Sequence, residues 1–383
     1  MPSVQPIVAG SITKITGLKE RPVYFLTLNN APKPSVVVKG DAEKPDSAVS
    51  IAWGSKLMKN VQNEWVNTKI MTPAEIDVFK NAAWAAFAQN TPQYDNVKPG
   101  GMSYCWVKMP FVEGLSDAEF YNDDYTINLK QIKELIKRLS DAAIWAELGK
   151  IVAVDIFNGN SDRFAVDPQG ASKLGTWTNR GNIMFLGAGH NHTTPVIGLD
   201  TFDPNSQVGN LKSGGGHENL KILIDQVKRN EFAKACVRSV GEQIRCKLAD
   251  SGHHGHFRIA VQGADGPNII TIPIKGIDYL FDAYADDMAA GITLGADQLK
   301  LYLQGKVRQY TPARPNVALP APPRPANLPP GVQPRAAWQP GVVPPRPGAW
   351  VAGAVPAAAA APAAAPIKTI PQGILDRMAY LGW

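Results

Sequence analysis

Half of the prolines of this chain lie in one short stretch, and that distribution most limits what the chain can fold into. Of the 32 prolines in the 383 residues, 16 fall between Thr311 and Pro366, where alanine supplies much of the rest. Proline lacks a backbone donor and alanine offers little apolar area, so this composition is typical of polyproline II or disordered chain. We therefore expect the folded part in residues 1–310, a disordered Pro/Ala-rich linker over 311–369, and a terminal segment over 370–383 that forms a short docking helix or frays. Composition alone predicts that the fold survives removal of everything after residue 310.

The same stretch accounts for the basic character of the chain. Residues from Thr311 to the end carry +5 of the formal net charge of +6, so the first 310 residues are nearly neutral. These basic residues are scattered among proline and alanine rather than clustered on a folded face, which argues against a nucleic-acid partner.

Cysteine usage and hydropathy bear on the compartment. Cys105, Cys236 and Cys246 have no C-x-x-C spacing and one is left over, which favours a reducing compartment over a disulfide framework. The longest uncharged apolar stretch, residues 351–367, is interrupted by prolines, and the first residues lack a signal-peptide pattern, so we expect no transmembrane segment. The expectation is a soluble, cytoplasmic protein, with delivery into a host cell as an effector left open.

Local patterns change in character along the first 310 residues. Three strand-like runs (SITKIT, VYFLTL and SVVVK) come first, and SYCWVKMPFVEG is a fourth. Helical patterns and one apolar segment follow: helices near Val49–Val61, Pro73–Gln89, Asn128–Glu147 and Glu218–Asp250, the apolar segment Ile151–Phe157, and shorter helices near Ile277–Met288 and Ala296–Gln304. Residues 158–216 are rich in loop signals. Strands before helices predict an α+β fold in which the sheet and the helices segregate.

Three motifs after residue 154 place a polar residue at the edge of an apolar segment. They are DIFNGNSDRF, RGNIMF and VIGLD. Polar side chains held at the ends of rigid apolar elements are what a metal–phosphate site requires, and magnesium prefers hard oxygen ligands from one or two residues. Asn182 and Asp200 would supply those oxygens, and Asp162 would lie nearer an acceptor hydroxyl.

This arrangement resembles the atypical branch of the protein-kinase-like superfamily that contains actin-fragmin kinase, the phosphatidylinositol kinases and the HipA-type toxins. The shared pattern is Asn-x-Asp-Arg, then Asn opening an apolar strand, then Asp after another apolar strand. It is met by Asn160–Arg163, Asn182–Phe185 and Ile197–Asp200. The resemblance implies a two-lobed protein-kinase-like fold, with an antiparallel sheet in an N-lobe over 1–114 and a mostly helical C-lobe over 115–310. It also implies ATP and Mg²⁺ between the lobes, Asp162 as the catalytic residue, and Asn182 and Asp200 as metal ligands.

Two further elements lie upstream in the order found in kinases. Lys39 ends the third predicted strand, the position from which a kinase lysine reaches the α/β-phosphates. The run WVKMPFVEG resembles the strand and hinge between two kinase lobes, so Met109, Phe111 and Val112 are expected to bind the adenine edge of ATP through backbone groups.

The chain departs from the family pattern in its catalytic loop. Phe164 stands where many relatives have histidine, and the long interval between Asp162 and Asn182 implies that residues 165–179 loop out. Asp155 and Asn160 offer a second assignment, because their spacing matches the catalytic Asp-to-Asn interval of ordinary protein kinases. We rank it second, since Asp155 follows an apolar run and is better placed to brace the loop.

Two sequence features that accompany the ATP-binding lysine in the family pattern are also missing from this chain. The predicted helix over residues 49–59 contains no glutamate to pair with Lys39, which leaves Glu43 and Glu64 as candidates. A G-x-G-x-x-G loop is absent as well.

The resemblance implies an ATP- and Mg²⁺-dependent phosphotransferase, with a protein serine/threonine substrate as in actin-fragmin kinase. A lipid (phosphoinositide) kinase is an alternative, which the nearly neutral first 310 residues disfavour. The alternative from another class is a non-catalytic kinase-like scaffold that presents PAPPRP (320–325) and PPRP (344–347) to an SH3-like partner.

Overall fold

The computed structural model describes residues 4–19, 21–42, 47–62, 66–99, 104–115, 128–166, 173–178, 180–186, 194–199, 216–263, 266–310 and 372–383. These residues confirm the α+β prediction, with a five-stranded antiparallel sheet and a mostly helical remainder. They all belong to one compact unit composed of residues 1–310 and 366–383. The predicted linker, 311–369, lies outside the described residues. Within the described part, no helix combines the length and apolar character needed to cross a bilayer.

The N-terminal part of the chain forms the five-stranded sheet and three helices. The strands are β1 (Ile12–Gly17), β2 (Val23–Leu28), β3 (Val36–Ala42), β4 (Lys69–Ile70) and β5 (Tyr104–Pro110), in the order β1-β2-β3-β5-β4. The helices are α1 (Ser47–Val61), between β3 and β4, and α2 (Pro73–Ala86) and α3 (Pro92–Asp95), between β4 and β5.

The two faces of this sheet have different neighbours. On β3, Val36 and Val38 are fully buried in a core with Tyr24, Phe79 and Trp106, whose rings contact one another. Because side chains alternate along a strand, the residues between and after these valines face the other side of the sheet. That second face carries the predicted lysine site.

The remainder of the described chain is mostly helical. Its helices are α4 (Leu129–Leu139), α5 (Ala142–Asn158), α6 (Gly216–Leu220), α7 (Gln226–Asp250), α8 (Ala285–Tyr310) and α9 (Gln372–Leu381). Its strands form two antiparallel hairpins, β6 (Ile183–Phe185) with β7 (Val196–Gly198), and β8 (His256–Gly263) with β9 (Gly266–Pro273).

Helix α5 is the centre of the larger core, and its packing against α8 depends on glycine. A Cβ at Gly149 would lie 2.3 Å from the carbonyl oxygen of Met288, and one at Gly291 would lie 2.1 Å from that of Ala146. Neither distance is compatible with a side chain, so these glycines permit the close crossing of the two helices. The crossing fixes α5, whose C-terminal end leads into the NSDR motif.

Several predicted elements differ from those observed. The predicted helix Asn128–Glu147 is two helices, because α4 ends at Leu139 and α5 begins at Ala142. The apolar segment Ile151–Phe157 belongs to α5, where burial on all sides hides the helical period. The β8–β9 hairpin was not predicted, although Asp265-Gly266 between two β-prone runs is a hairpin signal.

The terminal segment forms helix α9 and packs into the larger core. Ile374, Met378 and Leu381 are buried there, and the ring of Trp383 stacks on Phe157 at 5.7 Å between centroids. The chain end therefore covers the C-terminal turn of α5, and we expect its removal to destabilise the fold.

Candidate functional site

The NSDR motif occupies the loop that follows helix α5. The helix ends at Asn158, and Gly159 takes the left-handed conformation with φ 71°, which glycine adopts without strain. The backbone N–H of Asn160 then donates to the carbonyl of Asp155 at 2.8 Å. The loop is thus held at its start by the last turn of the helix.

A buried ion pair between Asp155 and Arg163 holds the loop against the end of helix α5. Both nitrogens of the Arg163 fork donate to the carboxylate of Asp155, at 2.7 Å from Nε and through a second contact from Nη2. The Asn160 side-chain amide donates to the same carboxylate at 3.0 Å. Asp155 is 1% exposed, and Asn160 and Arg163 are fully buried. Burial raises the pKa of the Asp155 carboxyl, and the Arg163 guanidinium and the Asn160 amide oppose that shift.

This geometry distinguishes the two assignments of the catalytic aspartate. Asp155 has its oxygens occupied by Arg163 and Asn160 and cannot reach a substrate from its buried position. Asp162 is half-buried, and its backbone N–H donates to the side-chain oxygen of Asn160 at 3.0 Å. Asp155 therefore suits the bracing role, and Asp162 is the carboxylate that the braced loop presents.

Asn182 lies beside Asp162, although the two are far apart in sequence. Its side-chain Nδ2 donates to Oδ2 of Asp162 at 3.4 Å. Asn182 ends the 3-10 turn Arg180–Asn182, immediately before β6, and its carbonyl accepts the N–H of Leu199 at 2.9 Å. Asp200, the other predicted metal ligand, follows Leu199 in sequence and lies outside the described residues.

The described residues between Asp162 and Asn182 include some that pack against the core. Phe164 forms an isolated antiparallel bridge with Trp177, and the two buried rings stack at 6.3 Å. The N–H of Trp177 donates to the Ser239 hydroxyl of α7 at 2.9 Å. The N–H of Ala165 donates to the carbonyl of Thr176 at 2.8 Å, so the described ends of residues 165–179 lie side by side. Residues 167–172 and 179 lie outside the described residues, and the expected loop stays a prediction.

The predicted lysine, Lys39, lies on the second face of the sheet and is half-buried. It pairs in register with Val107 of β5, as Val37 does with Met109. Both glutamates proposed as its partner, Glu43 and Glu64, lie outside the described residues.

Apolar side chains join this face of the sheet to the β6–β7 hairpin. We call them the sheet–hairpin cluster: buried Val66, Val107, Met109, Val112, Leu186 and Ile197, with half-buried Val37, Met184 and Leu199. Reciprocal 2.8 Å hydrogen bonds between Leu115 and Phe185 tie the segment after β5 to β6.

The three predicted hinge residues, Met109, Phe111 and Val112, make different contacts. Met109 and Val112 belong to the sheet–hairpin cluster, whereas the Phe111 ring contacts Phe25 at 6.1 Å. The N–H of Phe111 donates to the carbonyl of Ser35 at 3.0 Å, so it is already engaged and does not fit the predicted adenine contact.

Sequence reasoning missed the half-buried members of the sheet–hairpin cluster. Val37 lies two residues before Lys39 on the same strand, so the period of two predicts a shared face. Met184 lies between buried Ile183 and Phe185 and faces the other way, and Leu199 directly precedes Asp200. Strand alternation alone indicates the faces of Val37 and Met184.

Asn182 has the chemistry of a magnesium ligand. Because Nδ2 donates to Asp162, the amide oxygen Oδ1 is left as an acceptor, which is the hard ligand that magnesium prefers. Among the described residues, no group of three or more His, Cys, Asp or Glu side chains is placed to hold a metal. The Asn182 amide alone would not complete a magnesium site, which needs further oxygen ligands.

Comparison of the chain with models of known protein families gives no match, and comparison with curated proteins gives none either.

Proposed function

We propose that this protein is an ATP- and Mg²⁺-dependent phosphotransferase with an alcohol group as acceptor, most consistent with a protein serine/threonine kinase. The observation that carries the proposal is the contact between Asp162 and Asn182, which joins a buried, braced loop to the start of the β6–β7 hairpin. A carboxylate beside an amide whose oxygen is left as an acceptor combines an orienting base with a hard ligand for magnesium. We also propose that the chain has the two-lobed fold of the protein kinases.

The sheet–hairpin cluster supports the nucleotide site. Half-buried Val37, Met184 and Leu199 offer apolar surface on both the sheet and the hairpin side, which suits the two faces of an adenine ring. Lys39 shares the Val37 face of β3, from which its ammonium would neutralise the phosphates. Backbone groups from Met109 to Val112, other than the engaged N–H of Phe111, would bind the adenine edge.

Each remaining residue of the site has a defined task. Asn182 and Asp200 would hold magnesium, which when bound neutralises charge on the phosphates. The Asp162 carboxylate would accept a hydrogen bond from the acceptor hydroxyl and orient it for attack. Arg163 and Asn160 act through Asp155 to keep the loop, and hence Asp162, in place.

Phosphate transfer from labelled ATP, to the protein itself or to a protein acceptor, tests the proposal directly. Asp162→Asn should fold and bind ATP with magnesium yet transfer phosphate at least about a hundredfold more slowly. Asp250→Asn, which removes an exposed carboxylate at the end of α7, is the matched control and should transfer normally. Equal rates for the two variants would overturn the assignment of Asp162.

A non-catalytic kinase-like scaffold is the second candidate, because α1 carries no glutamate that could pair with Lys39. In that role the proline-rich stretch would bind an SH3-like partner. Magnesium-dependent ATP binding without phosphate transfer by the wild-type protein would favour the scaffold.

A further inference from the structure

A buried arginine of the terminal helix lies against the start of the NSDR loop. Arg377 is 4% exposed and belongs to α9, next to Met378, whose side chain is buried in the larger core. A Cβ at Gly159 would lie 3.5 Å from Nη2 of Arg377, so a methyl group would just fill the space between the guanidinium and the Gly159 Cα. Helix α9 therefore reaches the loop that carries Asp162, three positions after Gly159.

Arginine is an unfavourable residue for the buried side of a helix. Desolvation lowers the pKa of the Arg377 guanidinium to about 10, and charged side chains are seldom buried so deeply. The end of α5 favours such a cation, because the carbonyl groups of its last turn form the negative end of the helix dipole. A guanidinium next to Gly159 is therefore suited to hold the chain at the point where the helix ends.

A second contact of α9 lies at the same helix end. The Trp383 ring stacks on that of Phe157 at 5.7 Å, with the ring planes 2° apart. Phe157 is in the last turn of α5, two residues before Gly159, whose φ of 71° turns the chain out of the helix. One helix from the other end of the chain therefore contacts both the last turn of α5 and the residue where the loop begins.

Hydrogen bonds connect the start of the loop to Asp162. The N–H of Asn160 donates to the carbonyl of Asp155 at 2.8 Å, and the Asn160 side-chain oxygen accepts the N–H of Asp162 at 3.0 Å. We propose that Arg377 is a positioning residue for phosphate transfer: it holds Gly159, and through the loop the Asp162 carboxylate, in place. This inference rests on the proposed function, and Arg377 acts through the loop rather than on the substrate.

Steady-state kinetics of phosphate transfer by the full chain test this role. Arg377→Met, which removes the charge and keeps an unbranched side chain, should lower kcat about tenfold and leave KM for ATP within about twofold of wild type. Arg245→Met is the matched control, because it removes an arginine of α7 that pairs with Asp278, and it should transfer phosphate as wild type does. Met378→Ala should lower the melting temperature without that fall in kcat. An equal fall in Met378→Ala would overturn the role of Arg377, because any loosening of α9 would then suffice.

Hydrogen exchange of the loop tests the same contact without any activity. The N–H groups of Asn160 and Asp162 are both hydrogen-bonded, and they should exchange at least about threefold faster in Arg377→Met than in wild type. In Arg245→Met and Met378→Ala they should exchange at the wild-type rate. Unchanged exchange in a folded Arg377→Met protein would overturn the proposal.

The two measurements separate this inference from the proposed function. Faster loop exchange in Arg377→Met, together with a wild-type protein that transfers no phosphate, would support the contact with the loop and overturn phosphotransfer. A normal kcat in Arg377→Met, with an active wild type, would overturn the role of Arg377 and leave the proposed function intact. Should Arg377→Met not fold, Arg377→Lys decides, since it keeps the charge but loses the planar fork and should show both effects at smaller size. Wild-type exchange and kcat in that variant would then overturn the proposal.

Discussion

The side-chain amide of Asn182 donates to the carboxylate of Asp162 at 3.4 Å, across 20 residues of sequence. The contact fixes the amide so that its nitrogen faces the carboxylate and its oxygen remains an acceptor. Asn182 therefore restrains the Asp162 carboxylate through its side-chain nitrogen and keeps its side-chain oxygen available for a cation. Asp162 in turn is placed by Asn160, which also donates to the buried Asp155.

The Asp155–Arg163 pair is predicted to be structural rather than catalytic. Asp155→Asn would remove the carboxylate charge that two nitrogens of the buried guanidinium bind, and breaking such a buried pair costs about 3–5 kcal/mol. Urea unfolding should show a loss of this size. The control is Asp282→Asn, which breaks the more exposed pair with Arg238 and should cost about 1 kcal/mol or less. A fully stable Asp155→Asn protein without activity would instead make Asp155 the catalytic aspartate.

The sequence was informative about the sheet and about the polar motifs. The run VYFLTL coincides with β2, and Pro73 begins α2 behind a capping box formed by Thr72 and Glu75. Such signals are local, since they depend on side-chain period, capping and turn residues within a few positions. The NSDR motif is local in the same sense and lies, as expected, at the end of an apolar segment.

What the sequence could not provide was long-range pairing. Nothing local indicates that Lys108 of β5 pairs with Glu75, that Trp177 stacks on Phe164, or that α9 returns to the core. Because α5 is buried on all sides, its sequence shows no alternation of apolar and polar residues with the helical period. The close crossing with α8 at glycine explains part of this burial. Each of these depends on partners distant in sequence, which pattern reasoning does not supply.

The Glu75–Lys108 pair predicts an acid-sensitive step. Burial raises the pKa of the Glu75 carboxyl, but hydrogen bonds from Lys108 and from the backbone N–H groups of Ile7 and Thr72 outweigh it and hold the pKa below its usual value. A lowered carboxyl pKa adds stability that is present above the unfolded-state pKa and is lost as the pH falls through the folded-state pKa.

Urea midpoints measured from pH 7 down to pH 3 check this step. Wild-type protein should lose stability more steeply in acid than Glu75→Gln, and the difference between them should shrink below about pH 4. Glu218→Gln is the control, because Glu218 is exposed and its ion pairs with Lys221 and Lys228 should be screened by salt. Parallel pH profiles for wild type and Glu75→Gln would contradict the prediction.

Helix α9 is predicted to be an integral part of the core. Met378→Ala removes a buried side chain and should cost about 2–5 kcal/mol, whereas Tyr380→Ala, at a position 37% exposed on the same helix, should cost far less. Truncation before Gln372 should lower the melting temperature by more than Met378→Ala does, because it also removes Ile374 and the Trp383–Phe157 stack. A truncated chain that melts like wild type would mean that α9 does not contribute to the core in solution.

The last prediction separates the two proposed magnesium ligands. A carboxylate offers magnesium a full charge and an amide only a dipole, so loss of Asp200 should have the larger effect. Asp200→Ala should abolish the additional ATP affinity that magnesium confers, while Asn182→Ala should reduce it and be partly rescued by more magnesium. Titration calorimetry with ATP, in the presence and absence of magnesium, measures both. Asp203→Ala removes the same charge three residues further on and is the control. If Asp200 only caps the following turn, its loss should cost about 1 kcal/mol of stability and leave the magnesium effect intact, and that result would overturn the assignment of Asp200 as a magnesium ligand.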